Sequence, residues 1–253
     1  MLDPLVPSYS AGHPFFLCNQ VRALFITGTD TGVGKTTIAL SLASYLSLKE
    51  RIDVGVMKPF ETGLTEGSVD STLLKQVSGS PDDISIISPY RFELPLSPYA
   101  ASVKEGREID LEFLDGVFEK LMGSHRITLV EGAGGVLAPI RRGLFFADLI
   151  KRWDLPTLLV APLGLGTINH TLLTLRYLSS VNIEVVGVVL NDRDAQRDPS
   201  KESNPRIIAE HTNVTILGIF PYLQQMPERE RLAEIAQQCL DLRPILSRIP
   251  WPP

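Results

Sequence analysis

The stretch "ALFITGTDTGVGKTTIALSLASYL" (23–46) constrains the fold more than any other, because a short glycine-bearing turn joins an apolar strand to an apolar helix. A turn ending in Gly34-Lys35-Thr36 has the parts of a phosphate-binding loop. Gly32 and Gly34 free the backbone to turn its N–H groups inward, Lys35 supplies a cation for the outer phosphates, and Thr36 supplies a hydroxyl for a metal ion. The N-terminus of the following helix adds unsatisfied N–H groups and a dipole that favours anions. One detail departs from the usual G-x-x-x-x-G-K-[ST] spacing: Thr29 occupies the first position, and the glycine falls one residue earlier, at Gly28. The plain alternative is a glycine-rich turn with an exposed lysine. The G-K-T-T run, set between a strand and a helix, argues against it.

Elsewhere, β-branched apolar runs alternate with helical patterns, the signature of a mostly parallel sheet with helices on both faces. Strands are expected at 23–27, 54–57, 127–130, 157–161, 185–190 and 215–219. Their apolar residues are continuous rather than alternating, as in strands covered on both sides. "DLEFLDGVFEKLM" places Leu111, Leu114, Val117, Phe118 and Leu121 on one helical face behind an Asp110 N-cap. "TINHTLLTLRYLSS" and "ERERLAEIAQQCL" read as further helices. Residues 78–100, rich in Pro and Ser, show no helical period and read as a long functional loop. With 253 residues and no internal repeat, one α/β domain over residues 21–253 is expected.

A formal net charge of −5 argues against a broad nucleic-acid surface, which needs clustered Lys and Arg. Two cysteines, Cys18 and Cys239, are too few for a disulfide framework or a zinc site. The four histidines are scattered, without metal-ligand spacing. No apolar run reaches the roughly 18 residues of a membrane span. Residues 1–20 lack a basic start followed by an apolar block, so they read as a poorly ordered extension rather than a signal peptide. A cytoplasmic protein, free of membrane and nucleic-acid partners, is expected.

The displaced glycine has company downstream. G-T-D-T-x-V-G-K-T is followed in order by "VMKPFETG" (56–63), "VDSTLL" (69–74), "LVEGAGGVLAPI" (129–140), "LGTINHTLLT" (165–174) and "VGVVLND" (186–192). These segments resemble the dethiobiotin synthetase family of P-loop enzymes, from about Arg22 to about Glu228. The loop alone would say only nucleotide binder; the ordered series is specific.

The resemblance implies a P-loop NTPase fold and the reaction of 7,8-diaminononanoate, CO2 and ATP to dethiobiotin, ADP and phosphate, in a homodimer with Mg2+. It implies that Lys35 and Lys58 are catalytic, and that Thr31, Gly32, Val33, Gly34, Lys35, Thr36 and Thr37 cradle the nucleotide phosphates. Thr36, Asp70 and Glu131 would hold the metal and lie against the nucleotide. Gly132, Ala133 and Gly134 would offer backbone N–H groups to phosphate, and Gly135, Thr62 and Asn169 would face the substrate. Asn191 and Asp192 would read the adenine edge, with Pro221, Tyr222, Leu223 and Glu228 in the late nucleotide loop "FPYLQQMPE" (220–228). On local grounds alone, Lys58 reads as a solvated lysine ending a strand, Asp70 reads equally well as a helix cap, and Asn191 reads equally well as a turn residue. Two departures stand out. Gly32 replaces a glutamate found in some relatives, and residues 193–206 carry no tyrosine for the substrate carboxylate, a role left to Asn204 or a partner subunit.

Two other classes share parts of this pattern. Partition and septum-site ATPase switches share the fold but carry an early lysine in the loop, where this chain has Gly28 or Thr29. Cobyrinate amidotransferase synthetases share an E-G-A-G-G-like segment but need a glutaminase domain, for which this length leaves no room.

Overall fold

The apolar runs of the sequence become the strands of one central sheet. The structure, a computed structural model of the 253-residue chain, describes residues 22–64 and 70–250. The extension expected over residues 1–20 lies outside the described residues. Strands are β1 (Ala23–Gly28), β2 (Val54–Met57), β3 (Phe60–Glu61), β4 (Tyr90–Arg91), β5 (Ile127–Gly135), β6 (Pro139–Arg141), β7 (Leu144–Phe145), β8 (Thr157–Pro162), β9 (Val185–Asn191) and β10 (Ile216–Phe220). Helices are α1 (Lys35–Leu48), α2 (Asp70–Ser78), α3 (Ile84–Ile87), α4 (Pro98–Glu105), α5 (Leu111–Ser124), α6 (Phe146–Arg152), α7 (Thr167–Ser180), α8 (Ser200–Glu210), α9 (Arg229–Cys239) and α10 (Arg243–Leu246).

The six-stranded sheet has the order β10-β9-β8-β1-β5-β2, and its neighbouring strands are parallel. Successive residues of a strand point to opposite faces. Leu24 and Ile26 of β1 therefore enter a core with Ile38, Leu42 and Leu232, while Ala23 and Phe25 enter a second core with Leu114, Phe118 and Phe146. Helices thus cover both faces, as the alternating pattern predicts. From β1 the chain first builds the β5–β2 side and then crosses to β8. Such a reversal beside β1 leaves a crevice at the carboxyl ends of the strands, where open α/β sheets bind ligands.

Helix α1 is buried almost all round, from Ile38 to Leu46, and packs against α9 and α2. Its Ser41 and Ser44 hydroxyls donate to the Thr37 and Leu40 carbonyls, so their polarity is satisfied inside the helix. The Asp110 cap forms as the sequence predicts, its carboxylate accepting from Glu112 and Phe113 N–H.

Residues 78–100 depart from the expected irregular loop. They hold α3, β4 and the start of α4, capped by Asp83 and Ser97, and β4 pairs in parallel with β3. Each element is too short to display a period in sequence. Together they brace the end of β2, where the Lys58 N–H donates to the Ile87 carbonyl at 2.7 Å. Strand β5 also runs further than expected, through the Glu131–Gly135 segment to the edge of the crevice. Among the described residues no helix is long and apolar enough to cross a membrane.

Candidate active site

The phosphate loop explains its own displaced glycine. A Cβ on Gly28 would sit 2.7 Å from Val33 Cγ2 and 3.1 Å from Lys35 Nζ, because the loop folds back over the end of β1. Glycine is therefore required at the strand end rather than at Thr29. Gly34 has φ +98°, and its missing Cβ would fall 2.0 Å from Asn191 Nδ2. That amide donates to the Val33 carbonyl at 2.9 Å, so β9 supports the loop from behind. Thr31 and Gly32 are exposed at the loop's outer side, and Val33 is buried beneath it. Thr36 and Thr37 open α1 just behind Lys35.

Lys35 is buried, and its Nζ donates to the Asp30 carbonyl at 2.9 Å across the loop. Burial pulls its pKa down to about 8, against the pull of the Glu131 carboxylate and with the help of the Lys58 charge. Lys58 is also buried, at the end of β2, and donates to Asp70 Oδ2 at 2.5 Å and to Glu131 Oε1 at 2.7 Å. Burial alone would lower its pKa, but Glu131 and Asp70 outweigh it and hold the ammonium above the ordinary lysine value. Glu131 Oε1 accepts in addition from Thr36 Oγ1 at 2.7 Å. The start of α1 and the end of β2 therefore converge on the β5 carboxylate, and α2 joins them through the Lys58 ammonium.

Glu131 is 1 % exposed, and its Oε2 is buried without a hydrogen-bond partner. An orphaned buried carboxylate oxygen is costly unless a further cation or donor meets it. With Thr36 and Asp70 beside it, the donor set is all oxygen, which fits a hard divalent cation. Asp70 is the first residue of α2 rather than a residue before the helix. Its position is set by Glu61, a residue the sequence reading passed over. The buried Glu61 carboxylate accepts from Ser71 N–H at 3.0 Å, Ser71 Oγ at 2.5 Å and Arg91 Nε at 3.2 Å, which fixes the start of α2 against β3 and β4. The available signal was a carboxylate three residues after Lys58, directly following the apolar Pro59-Phe60 pair.

The segment Gly132–Gly135 runs beside the phosphate loop. Gly135 pairs with Gly28, and a Cβ on Gly134 would lie 3.6 Å from Thr31 Oγ1. Ala133 is half-buried on this edge, and Thr62, also half-buried, follows β3 on the Lys58 side. The residues expected on the base side are also brought together. Phe220 pairs with Asn191, and Asp192 N–H donates to the Phe220 carbonyl at 2.8 Å. This places Pro221, exposed Tyr222 and half-buried Leu223 next to Asn191 and Asp192. Glu228 caps the start of α9 without a side-chain hydrogen bond and is exposed. Asn169 lies exposed in the first turn of α7, after β8. Asn204 is not free for a substrate: it is buried, and its amide donates to the Leu163 and Gly164 carbonyls, fixing the turn after β8.

A parallel sheet with a glycine-lysine-threonine loop between β1 and α1, and a buried carboxylate within the neighbouring strand β5, defines a P-loop nucleotide-binding α/β protein. The sequence family described as an AAA domain matches residues 22–230. The chain is 46% identical to the ATP-dependent dethiobiotin synthetase BioD of Aquifex aeolicus over 200 residues, 79% of this chain and 86% of the relative. It is 41% identical to that of Bacillus licheniformis over 206 residues, 81% of this chain and 87% of the relative. It belongs to the dethiobiotin synthetase family. In fold it is also similar to a chain of the MinC:MinD cell division complex of Aquifex aeolicus, at TM-score 0.54 and 18% identity over 92% of this chain and 99% of that one. A ParA family ATPase of Chlorobium tepidum is similar at TM-score 0.51 and 16% identity over 87% and 93%. These two likenesses concern the fold alone.

Proposed function

We propose that this chain carboxylates and closes the ring of 7,8-diaminononanoate with CO2 at the expense of ATP, giving dethiobiotin, ADP and phosphate in biotin biosynthesis. The observation that carries the reading is the convergence of Lys58 and the phosphate-loop Thr36 on Glu131, beside the buried Lys35. One substrate amine takes up CO2 as a carbamate. The carbamate oxygen attacks the γ-phosphorus, the bond to the β-phosphate oxygen breaks, and ADP leaves. The second amine then attacks the carbamoyl carbon of the mixed anhydride, phosphate departs, and the ureido ring closes. Phosphoryl transfer of this kind demands positioning and charge stabilisation.

In this reading Lys35 holds the β- and γ-phosphates, and Lys58 meets the charge shared between carbamate and γ-phosphate. Backbone N–H groups of residues 31–37 and 132–134 cradle phosphate oxygens. Thr62, Gly135 and Asn169 face the diamine. Asn191, held against Val33, presents its amide edge to adenine beside Asp192, with Pro221, Tyr222, Leu223 and Glu228 closing that side. Thr36, Asp70 and Glu131 would hold Mg2+, which would supply neutralisation of phosphate charge when bound.

Residues 21–253 form the catalytic domain, residues 1–20 an extension outside it, and the enzyme works in the cytoplasm. A homodimer is supported by two exposed apolar side chains flanking Asn169 in sequence, Leu165 just before α7 and Leu173 on it.

The test is ADP release measured with diaminononanoate and bicarbonate, each supplied alone and together. Release that needs both supports the synthetase reading. ATP turnover indifferent to the diamine, but stimulated by DNA or lipid, would reassign the chain to the partition and septum-site switches.

A further inference from the structure

Arg193 was not among the residues singled out from the motifs, and the structure sets it over the phosphate loop. It follows Asn191 and Asp192 at the end of β9, and its Nη2 lies 3.8 Å from the position a Cβ on Gly32 would take. Gly32 has φ +67°, and both Gly32 and Arg193 are exposed at the outer side of the loop.

Its charge is also unspent. The acidic neighbours in sequence are committed elsewhere: Lys201 Nζ donates to Asp192 Oδ1 at 2.7 Å and to Asp194 Oδ1 at 2.8 Å. Asp198 accepts from Ser200 Oγ at 2.7 Å and from Leu165 N–H at 3.2 Å. Arg193 itself makes no ion pair or side-chain hydrogen bond among the described residues. The other two cations of the site are less available. Lys58 is shared between two carboxylates, and Lys35 is tied to the Asp30 carbonyl. A nucleoside triphosphate brings about four negative charges at neutral pH, and Arg presents a planar set of donors suited to phosphate oxygens.

We propose that Arg193 is a nucleotide-binding residue whose guanidinium contacts the phosphate tail of the bound nucleoside triphosphate from the β9 side of the loop. Lys201 acts as a positioning residue, neutralising Asp192 and Asp194 so that they do not capture Arg193. The inference rests on the reading that the loop at residues 28–36 takes the triphosphate.

The experiment is calorimetric titration of the full chain and of Arg193→Ala and Arg193→Lys with ATP, ADP and adenosine, the phosphate-bearing ligands with Mg2+. In Arg193→Ala, ATP and ADP should bind about 10-fold more weakly, in line with loss of one charge-assisted contact at an exposed site. Adenosine affinity should stay within twofold of the parent. Arg193→Lys should recover part of the loss, and added salt should weaken the parent more than the alanine variant. Equal ATP and ADP affinity in parent and Arg193→Ala would overturn the proposal. A loss as large for adenosine as for ATP would overturn it too, by moving the contact to base or sugar. Failure of the parent to bind ATP would overturn the proposed function itself.

Discussion

Lys58 and Thr36 donate to the same oxygen, Glu131 Oε1, each at 2.7 Å. The residue just after β2 and one opening α1 are thereby locked to the middle of β5, and the buried charge of Lys58 is balanced by two carboxylates rather than by solvent. Such a cluster is suited to meet anionic substrates, because its charges are already desolvated and oriented.

Lys58→Ala removes the cation proposed to sit between carbamate and γ-phosphate. Product formation should fall at least ~100-fold, as for loss of one preorganised donor to transition-state charge. ADP affinity should change far less, since Lys35 and the loop backbone remain. Steady-state rates alongside ADP titrations measure both quantities, and near-parental turnover would remove Lys58 from the mechanism.

The same cluster predicts non-additive stability. Glu131→Ala leaves Lys58 buried beside Asp70 alone, and breaking a buried ion pair from one side costs about 3–5 kcal/mol. Adding Lys58→Met removes the stranded charge and should recover a large part of that loss. Urea unfolding of the two single variants and the double variant gives the coupling directly. Additive losses would mean that the pair is not coupled in the folded protein.

Gly34→Ala should abolish nucleotide binding. The left-handed backbone alone costs a non-glycine residue roughly 1–2 kcal/mol, and the new Cβ would also collide with Asn191 Nδ2 at 2.0 Å. Gly32→Ala carries only the backbone cost, since its Cβ meets nothing closer than Arg193 Nη2 at 3.8 Å. ATP affinity should therefore fall by ~100-fold or more in the first variant and by about 10-fold or less in the second. Equal losses in both would show that the Asn191 contact does not shape the loop.

How legible this site was in the sequence depends on the range of the interactions. The loop at 28–36 is local, a strand, a turn and a helix in one stretch, and its period and glycines announce it. The six strands of the central sheet were legible for the same reason, their ends moving by about a residue except at β5, where glycines mask a continuing pairing with Gly28, while the two- and three-residue strands β3, β4, β6 and β7 were too short to show a pattern. The meeting of Lys58, Asp70 and Glu131 is nonlocal. No spacing fixes it; only the ordered resemblance to a family suggested it. Glu61, Arg193 and the elements of residues 78–100 escaped because each acts through a distant partner: Ser71 and Arg91 for Glu61, Gly32 for Arg193, and the end of β2 for α3. Asn204 or a partner subunit was offered to the substrate carboxylate because residues 193–206 lack the tyrosine of some relatives, and the Leu163 and Gly164 carbonyls claim the Asn204 amide instead.

His125 makes the fold sensitive to pH. Its ring is buried at the end of α5, with Nδ1 3.0 Å from Asp53 Oδ2 and Nε2 2.7 Å from Asp82 Oδ2. Only the imidazolium donates from both nitrogens at once. Burial works against that charge, but hydrogen bonds to Asp82 and Asp53, with their negative charges, raise the His125 pKa above its ordinary value. Asp82 is opposed by its own burial, but Ser80 and His125 hold it below the usual carboxylate range, aided by Lys120. The Lys75 ammonium binds the Asp82 carbonyl in the same corner. Because the histidine's folded pKa exceeds the unfolded value of about 6.5, its contribution to stability is full below that pH and disappears as pH rises through the folded value. The Asp82 contribution has the opposite sign: it is present above the ordinary carboxylate pKa and lost as pH falls through its depressed value. The stability difference between the parent and His125→Gln should therefore be largest near pH 5–6 and shrink on going to pH 9. Urea unfolding of both proteins across that range measures it, and a difference that stays constant would mean that His125 is neutral in the folded protein and serves only to fill space beside Gly55.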